Sequence, residues 1–386
     1  VIVLKENAST GPTVPLTAAQ AAYLRGSKLV TIRGTGPYTI IPKMKQVGAL
    51  HAHGLDVVVT PKVSIQRLLF LLGYAANPGF LPEDVDGVQA DGLWPIVAET
   101  LCRNAERALA GGVLQGYTTD ETTSSVLRGR VRVADQIARR PGRMMPLEII
   151  HDEYTVDIAE NRLLLAAVRR MCRVPRVPQT LRARLRHLDN RLDGVSTLRA
   201  GAPLPRWRPH RLNARYHPAL RIADLVLNTL SFEVGEDGLA IAAFVVNMER
   251  VFEDFVTTAL REAWRADPGR THSQYAATLD AGGAINLRID VVHLVNDKPR
   301  FVVDAKYKLE SRSGGYPNAD IYQVLAYCTA LQIDRAWLVY ASGTGGSAPR
   351  AIRNTGITIT EYPLDLDAAP HDLLAQVNQL ARSAWI

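Results

Sequence analysis

Arg288-Ile289-Asp290-Val291-Val292, a turn at Asn296-Asp297-Lys298-Pro299, and then Phe301-Val302-Val303-Asp304-Ala305-Lys306-Tyr307-Lys308 form the stretch on which the fold turns. Both flanks are rich in β-branched and apolar residues and the joining segment is polar, so they read as adjacent strands of a hairpin in a covered sheet. Two aspartates and a lysine stand where apolar residues belong. Side chains alternate along a strand, so Asp304 and Lys306 share one face about 6.6 Å apart, and Val303 and Ala305 take the other. A neighbouring strand brings Asp290 to the face of Asp304 and Lys306.

Two carboxylates meeting on a half-buried sheet repel each other unless a cation relieves them. Oxygen ligands completed by water suit Mg2+ or Mn2+ better than zinc. An ion held there supplies Lewis acidity toward a phosphate oxygen and acidifies a water, and the Lys306 ammonium steadies growing negative charge. The expected reaction is phosphodiester hydrolysis. Upstream, Met248-Glu249-Arg250-Val251-Phe252-Glu253-Asp254-Phe255-Val256 reads as an amphipathic helix with Val251, Phe252 and Phe255 on its packed side. Glu249 and Glu253 are one turn apart, and either adds a ligand if it lies beside the hairpin. Downstream, a helix over Asp320–Tyr327 places Gln323 and Tyr327 on one stripe, suited to hydrogen-bond the lysine, a water or the DNA backbone.

The chain of 386 residues is long enough for two or three domains, and 47% hydrophobic with 22% charged residues is a globular composition. No apolar run approaches the ~20 residues of a membrane span, and Val1–Glu6 lacks the pattern of a secretory leader, so a cytoplasmic location is expected. Three scattered cysteines, Cys102, Cys172 and Cys328, read as free thiols. His51 and His53 alternate on a predicted strand and read as packing or exposed histidines rather than ligands. The glycine runs at 314–315 and 343–346 lack phosphate-loop spacing and read as turns, so this chain is not expected to bind a nucleotide.

Charge is unevenly spread. The net formal charge is +7, yet between Arg169 and Arg221 fourteen arginines face only two aspartates. Arginine without lysine favours bidentate phosphate recognition, and Arg169, Arg170, Arg182, Arg184, Arg186, Arg206 and Arg208 are the expected DNA contacts. A solvated helix face or an acidic protein partner is the alternative.

Along the chain, short strands at 29–32, 38–41 and 55–59 give way to a helix from Ser64 and a second over 94–109. A ribbon spans 114–132, helices cover 152–172 and 181–192, and a Pro-rich loop covers 201–218. The boundaries fall at 1–150, 151–238 and 239–386.

The order of acidic helix, Asp strand, Asp-x-Lys strand and Gln-x-x-x-Tyr helix resembles the PD-(D/E)xK nuclease superfamily. The lines Phe252–Val256, Arg288–Val292, Val303–Lys308 and Asp320–Gln323 are similar to one of its members, the McrC family. So are Thr60-Pro61-Lys62-Val63, Gly116-Tyr117, Leu127–Val131 and Asp157-Ile158-Ala159-Glu160-Asn161-Arg162. One departure is Ile289, where the family line has proline.

The resemblance implies an α/β (overall α+β) protein. It would have a β-rich N-terminal partner-binding module, a helical Arg-rich middle, and a C-terminal restriction-endonuclease-like mixed sheet flanked by helices. It implies Asp290, Asp304, Ala305 and Glu253 at the metal, with Lys306, Gln323 and Tyr327 completing the catalytic set. It also implies double-stranded, modified DNA as substrate and a hexameric McrB-like AAA+ GTPase as partner, stimulated by an N-terminal finger. Arg128 and Arg130 are weak candidates for the ring contact, an ordinary solvated ribbon being the favoured reading. The competing expectations are a nuclease that works without a GTPase and a non-catalytic adaptor of an AAA+ motor.

Overall fold

The computed structural model describes residues 1–81, 92–199, 201–234, 240–308, 318–341 and 347–385. Two compact units emerge, one of Val1–Ile96 with Thr229–Ile386 and one of Val97–Asn228. The mixed α/β class matches expectation, but the division does not follow the boundaries drawn at 150 and 238. Residues 235–239, across which the second boundary was drawn, lie outside the described residues, as do the glycine runs at 314–315 and 343–346.

The chain opens with β1 (Ile2–Lys5), β2 (Thr13–Val14), α1 (Ala18–Gly26), β3 (Val30–Arg33), β4 (Tyr38–Pro42), β5 (Gln46–Ala52), β6 (Leu55–Thr60) and α2 (Ile65–Ala76). Ser64 caps α2 by accepting from Arg67 N–H. The second unit holds most of α3 (Leu93–Leu109), then β7 (Gly116–Ser124), β8 (Arg130–Val131), α4 (Val133–Arg139), β9 (Leu147–Thr155), α5 (Ala159–Arg173), α6 (Gln179–Arg191) and α7 (His217–Thr229).

Here the expected ribbon needs correction, because β7 and β8 each pair with β9 rather than with one another. The helix expected from Asp152 starts only at Ala159. Residues 147–155 are consumed by a nine-residue ladder with β7, and cross-strand pairing overrides the helical look of the charged run. At the start of α5, Arg162 grips Asp157 through two bonds of 2.7 and 2.6 Å. Asn161 donates to the carbonyls of Leu114 and Val156. The motif Asp157–Arg162 is therefore an architectural knot.

The chain then forms β10 (Leu230–Val234), β11 (Ala240–Asn247), α8 (Met248–Ala263), β12 (Arg270–Thr278), β13 (Asn286–Val295), β14 (Lys298–Lys306), α9 (Asn318–Leu331), β15 (Arg335–Tyr340), β16 (Ala348–Ala351), β17 (Thr358–Pro363) and α10 (Pro370–Ser383). One sheet has the order β1-β6-β5-β11-β10, so the opening strands and β11 share a ladder. That pairing is why the first unit is discontinuous in sequence. Gly48 permits it, since a Cβ there would lie 1.8 Å from the Phe244 carbonyl oxygen.

The six-stranded sheet has the order β12-β13-β14-β15-β17-β16, antiparallel on the β12–β14 side and parallel from β14 to β17. Asn296 and Asp297 both take left-handed backbone angles in the expected hairpin turn. Val324, Tyr327 and Cys328 of α9 pack on Val292, Val302, Leu338 and Tyr340. Helix α8 packs against α2 and α10, with Phe255 meeting Phe70 and Tyr74 of α2 and Phe252 meeting Tyr307 beyond β14. No helix among the described residues is long and apolar enough to cross a membrane.

Candidate active site

The two central strands of the sheet part at the charged residues. Pairing of β13 with β14 reaches Val291↔Val303. One residue further, the Asp290 side chain takes over: its Oδ2 accepts from Ala305 N–H at 3.0 Å. Gln274 of β12 donates from Nε2 to the other oxygen at 3.2 Å. Asp304 is 1% exposed, and Lys306 Nζ stands 2.7 Å from its Oδ2. That close ion pair meets Oδ2, while Oδ1 is buried without a hydrogen-bond partner. From α9, Gln323 Nε2 donates to the Tyr327 hydroxyl at 2.5 Å, and that hydroxyl donates to the Arg288 carbonyl at 3.2 Å. Asp320 accepts both 2.7 and 3.0 Å contacts from Lys308 Nζ and anchors the start of α9.

Burial, then the charge of Asp290, pushes Asp304 up to about 7. Glu253 on α8 is likewise pushed up to about 7, by burial first and then by Asp290 and Glu249. Burial opposes the charge of Lys306, but Asp304 and Asp290 outweigh it and hold the amine above its ordinary value. Burial and Asp304 push Tyr327 up to about 12. These groups feel one another, and negative charge is in excess where the strands part.

That excess fits a cation. Asp304 offers a buried Oδ1 without a partner and a further lone pair on Oδ2, Asp290 keeps a lone pair on each oxygen, and Ala305 has only its main-chain carbonyl to contribute. Hard oxygens of this kind suit Mg2+ or Mn2+. Among the described residues, no three His, Cys, Asp or Glu side chains stand close enough to hold an ion unaided. Glu253 therefore lies within electrostatic reach without closing a three-carboxylate cage. Glu249 is turned to another task, pairing with Lys45 at 2.5 Å.

The model of a family described as "McrBC 5-methylcytosine restriction system component" matches residues 43–341. The chain belongs to the McrBC family. None of the curated proteins matches it. Among solved structures it is similar to a chain of the tetradecameric assembly of Thermococcus gammatolerans McrB AAA+ hexamers with bound McrC. That likeness has 17% identity and a TM-score of 0.61, covering 97% of this chain and 90% of the other. A second match, to the Thermococcus gammatolerans McrBC complex, has 16% identity and a TM-score of 0.43 over 68% of this chain and 87% of the other.

In this McrBC-family chain, four of the seven arginines expected to track phosphates are committed inside their own unit. Arg169 binds Asp189 and Thr197, and Arg170 donates to the Leu227 carbonyl. Arg182 reaches the Val174 carbonyl, and Arg184 bridges Glu99 and Glu106. Arg186, Arg206 and Arg208 are exposed. His51 pairs with Asp56 at 2.6 Å, and His53 sits in the turn beyond β5 rather than alternating with it on a strand. Ile289 replaces the family proline without harm to the strand, since it pairs with Tyr275 and is fully buried.

Two features escaped sequence reading. Gln274 becomes visible only when the register places it across from Asp290. The apolar end of the β7–β9 ribbon, with Val126, Leu127, Val133, Ile137, Met144 and Met145 exposed, emerges only when burial is known.

Proposed function

We propose that this chain is the metal-dependent DNA endonuclease subunit of a McrBC-type restriction system in the cytoplasm, cutting modified double-stranded DNA in company with a hexameric McrB-like AAA+ GTPase whose hydrolysis it stimulates. The observation that carries the reading is the buried Asp304 carboxylate, Oδ1 without a hydrogen-bond partner and Oδ2 against Lys306, within the field of Asp290. One ammonium does not offset two carboxylates drawn together under burial, and an excess of buried charge of this kind gathers at functional sites rather than serving stability.

Asp290, Asp304 and the Ala305 carbonyl would hold Mg2+ or Mn2+, with Glu253 reaching it through water. A bound divalent ion supplies Lewis acidity toward the scissile phosphate. Lys306 then brings a fixed positive charge to the phosphorane-like charge build-up or to the attacking oxygen. Gln323 and Tyr327 keep a polar, oriented edge beside the lysine.

The exposed apolar end of the β7–β9 ribbon supports the partner half of the proposal. Six large apolar side chains held in water, Met144 at 86% exposure among them, mark a surface built to be covered. The ring of the GTPase is the assigned cover. The expected 1–150 module thus narrows to this ribbon for ring contact.

Cleavage of methylated plasmid with Mg2+, with and without an AAA+ GTPase partner and GTP, tests the proposal. Wild type is expected to cut only with partner and GTP. Asp304→Ala and Lys306→Ala should lose cutting yet stimulate GTP hydrolysis normally, because ribbon and Asp304 belong to different compact units. Cutting by wild type alone would favour a solitary nuclease. GTPase stimulation with no cutting by any form would favour an adaptor.

A further inference from the structure

The strand β12 contains an irregularity directly across from Asp290. Its pairing with β13 runs from Arg270↔Leu294 to Thr278↔Asn286 at constant register, and Gln274–Asp290 is the pair missing from that ladder. No residue is inserted, as it would be in a β-bulge. Instead Gln274 has a φ of 50°, a left-handed conformation that a side-chain-bearing residue adopts at a cost and that has no place in a regular strand. Such strain persists where surrounding structure enforces it, and it gathers at functional sites.

What the distortion accomplishes is a contact. Gln274 leaves the ladder and donates from Nε2 to Asp290 Oδ1 at 3.2 Å, while Ala305 N–H on the opposite strand donates to Oδ2 at 3.0 Å. The carboxylate is thus held from both sides by neutral donors. Neutrality matters. An arginine or lysine in place of Gln274 would satisfy the charge that a cation must meet, whereas an amide fixes the plane of the carboxylate and leaves one lone pair per oxygen open. A second carboxylate there would add repulsion to a site where Asp304 and Glu253 are already pushed toward protonation. Gln274 combines reach, hydrogen-bond donation and zero charge.

We propose that Gln274 is a positioning residue for Asp290 as a metal ligand, and that the backbone distortion at 274 is retained to deliver its side chain. The inference rests on the metal-site reading of Asp290 and Asp304 given above. It concerns how the ligand is aimed, not whether it is one.

Glycine is at ease in the left-handed region, so Gln274→Gly removes the amide and relieves the backbone together. The experiment measures Mn2+ binding to the purified chain by calorimetry or by the loss of free Mn2+ electron-spin signal, alongside thermal unfolding without metal. Gln274→Gly is expected to melt at or above the wild-type temperature and yet to bind Mn2+ about 10-fold more weakly. Gln274→Ala, which keeps the strain, should lose the same affinity and melt lower than the glycine variant.

Asp290→Ala and Asp304→Ala separate the two layers of the argument. If both bind Mn2+ like wild type, the metal-site reading falls and the proposal falls with it. If both lose binding while Gln274→Gly keeps wild-type affinity, the positioning role alone is overturned. A Gln274→Gly variant that loses affinity and melting temperature together would make Gln274 an ordinary structural contact, and would overturn the proposal as well.

Discussion

Asp304 and Arg184 are both charged side chains drawn back from water, and they are held in opposite ways. Arg184, on α6, meets Glu106 through two parallel bonds of 2.8 Å and Glu99 through a third of 2.6 Å. Every part of that guanidinium has an answer. Asp304, on β14, is almost wholly buried, has one ammonium against Oδ2 and no partner on Oδ1, and burial together with the facing Asp290 pushes its pKa up to about 7. A dense cluster of arginines therefore serves largely as mortar between helices, while two isolated aspartates mark the place where something from outside is required. The number of charges in a segment is a poor guide to function. Whether each charge finds a partner is a better one.

Opposite substitutions sharpen the contrast. Asp304→Asn is expected to reduce partner-dependent cleavage by roughly 10^3-fold or more and to raise the melting temperature of the metal-free protein at pH 8, since it removes a charge that burial and Asp290 disfavour more than Lys306 favours it. Arg184→Met should do the reverse. It leaves Glu99 and Glu106 facing each other and should cost ~1–2 kcal/mol, discounted for partial exposure, with cleavage per folded molecule unchanged. Melting curves and cleavage rates on the same preparations decide the matter. A destabilised Asp304→Asn and an indifferent Arg184→Met would invert the comparison.

The next effect is one of pH. Asp304 and Glu253 both sit near 7 in the fold, from burial first and Asp290 next, whereas an unfolded carboxylate titrates near ~4. Between those values the folded chain keeps protons that the unfolded chain has released, so their contribution to stability is whole below about 4 and is lost as pH rises through about 7. Urea unfolding without metal should give a declining stability from pH 5 to pH 8, with a shallower decline in Asp304→Asn. Added Mg2+ should stabilise wild type more at pH 8 than at pH 6, because only the ionised pair attracts it. A flat profile in wild type would mean that the carboxylates are relieved by some other group.

The hairpin, the acidic helix and the Gln-x-x-x-Tyr helix were legible because each is a local pattern. Alternation across 301–306 announces a strand, Val251, Phe252 and Phe255 announce a helix face, and Gln323 and Tyr327 fall one turn apart. The partnering of β5 with β11 was not legible, since nothing in Gln46–Ala52 names a strand so far along the chain. For the same reason the two compact units differ from boundaries at 150 and 238. Residues 152–155 misled in a different way: His151-Asp152-Glu153 looks like a solvated helix until a nine-residue ladder with β7 claims it. Gln274 carried no signal at all, being one polar residue in a polar strand whose meaning depends on its neighbour across the ladder.

The smallest effect tests what is left of the arginine belt. Arg169, Arg170, Arg182 and Arg184 have committed their guanidiniums, but Arg186 on α6 and Arg206 and Arg208 in the Pro-rich loop are exposed. If these touch phosphates, each releases about one counterion on binding, and replacing all three with glutamine should lower the steepness of log K against log salt by roughly one unit for each phosphate left unneutralised. The measurement is DNA affinity across a salt series. Arg170→Gln, whose side chain serves the Leu227 carbonyl, should leave the slope where it was even if the protein melts earlier. A triple variant with the wild-type slope would place DNA elsewhere on the chain and leave the exposed arginines as a face for an acidic protein.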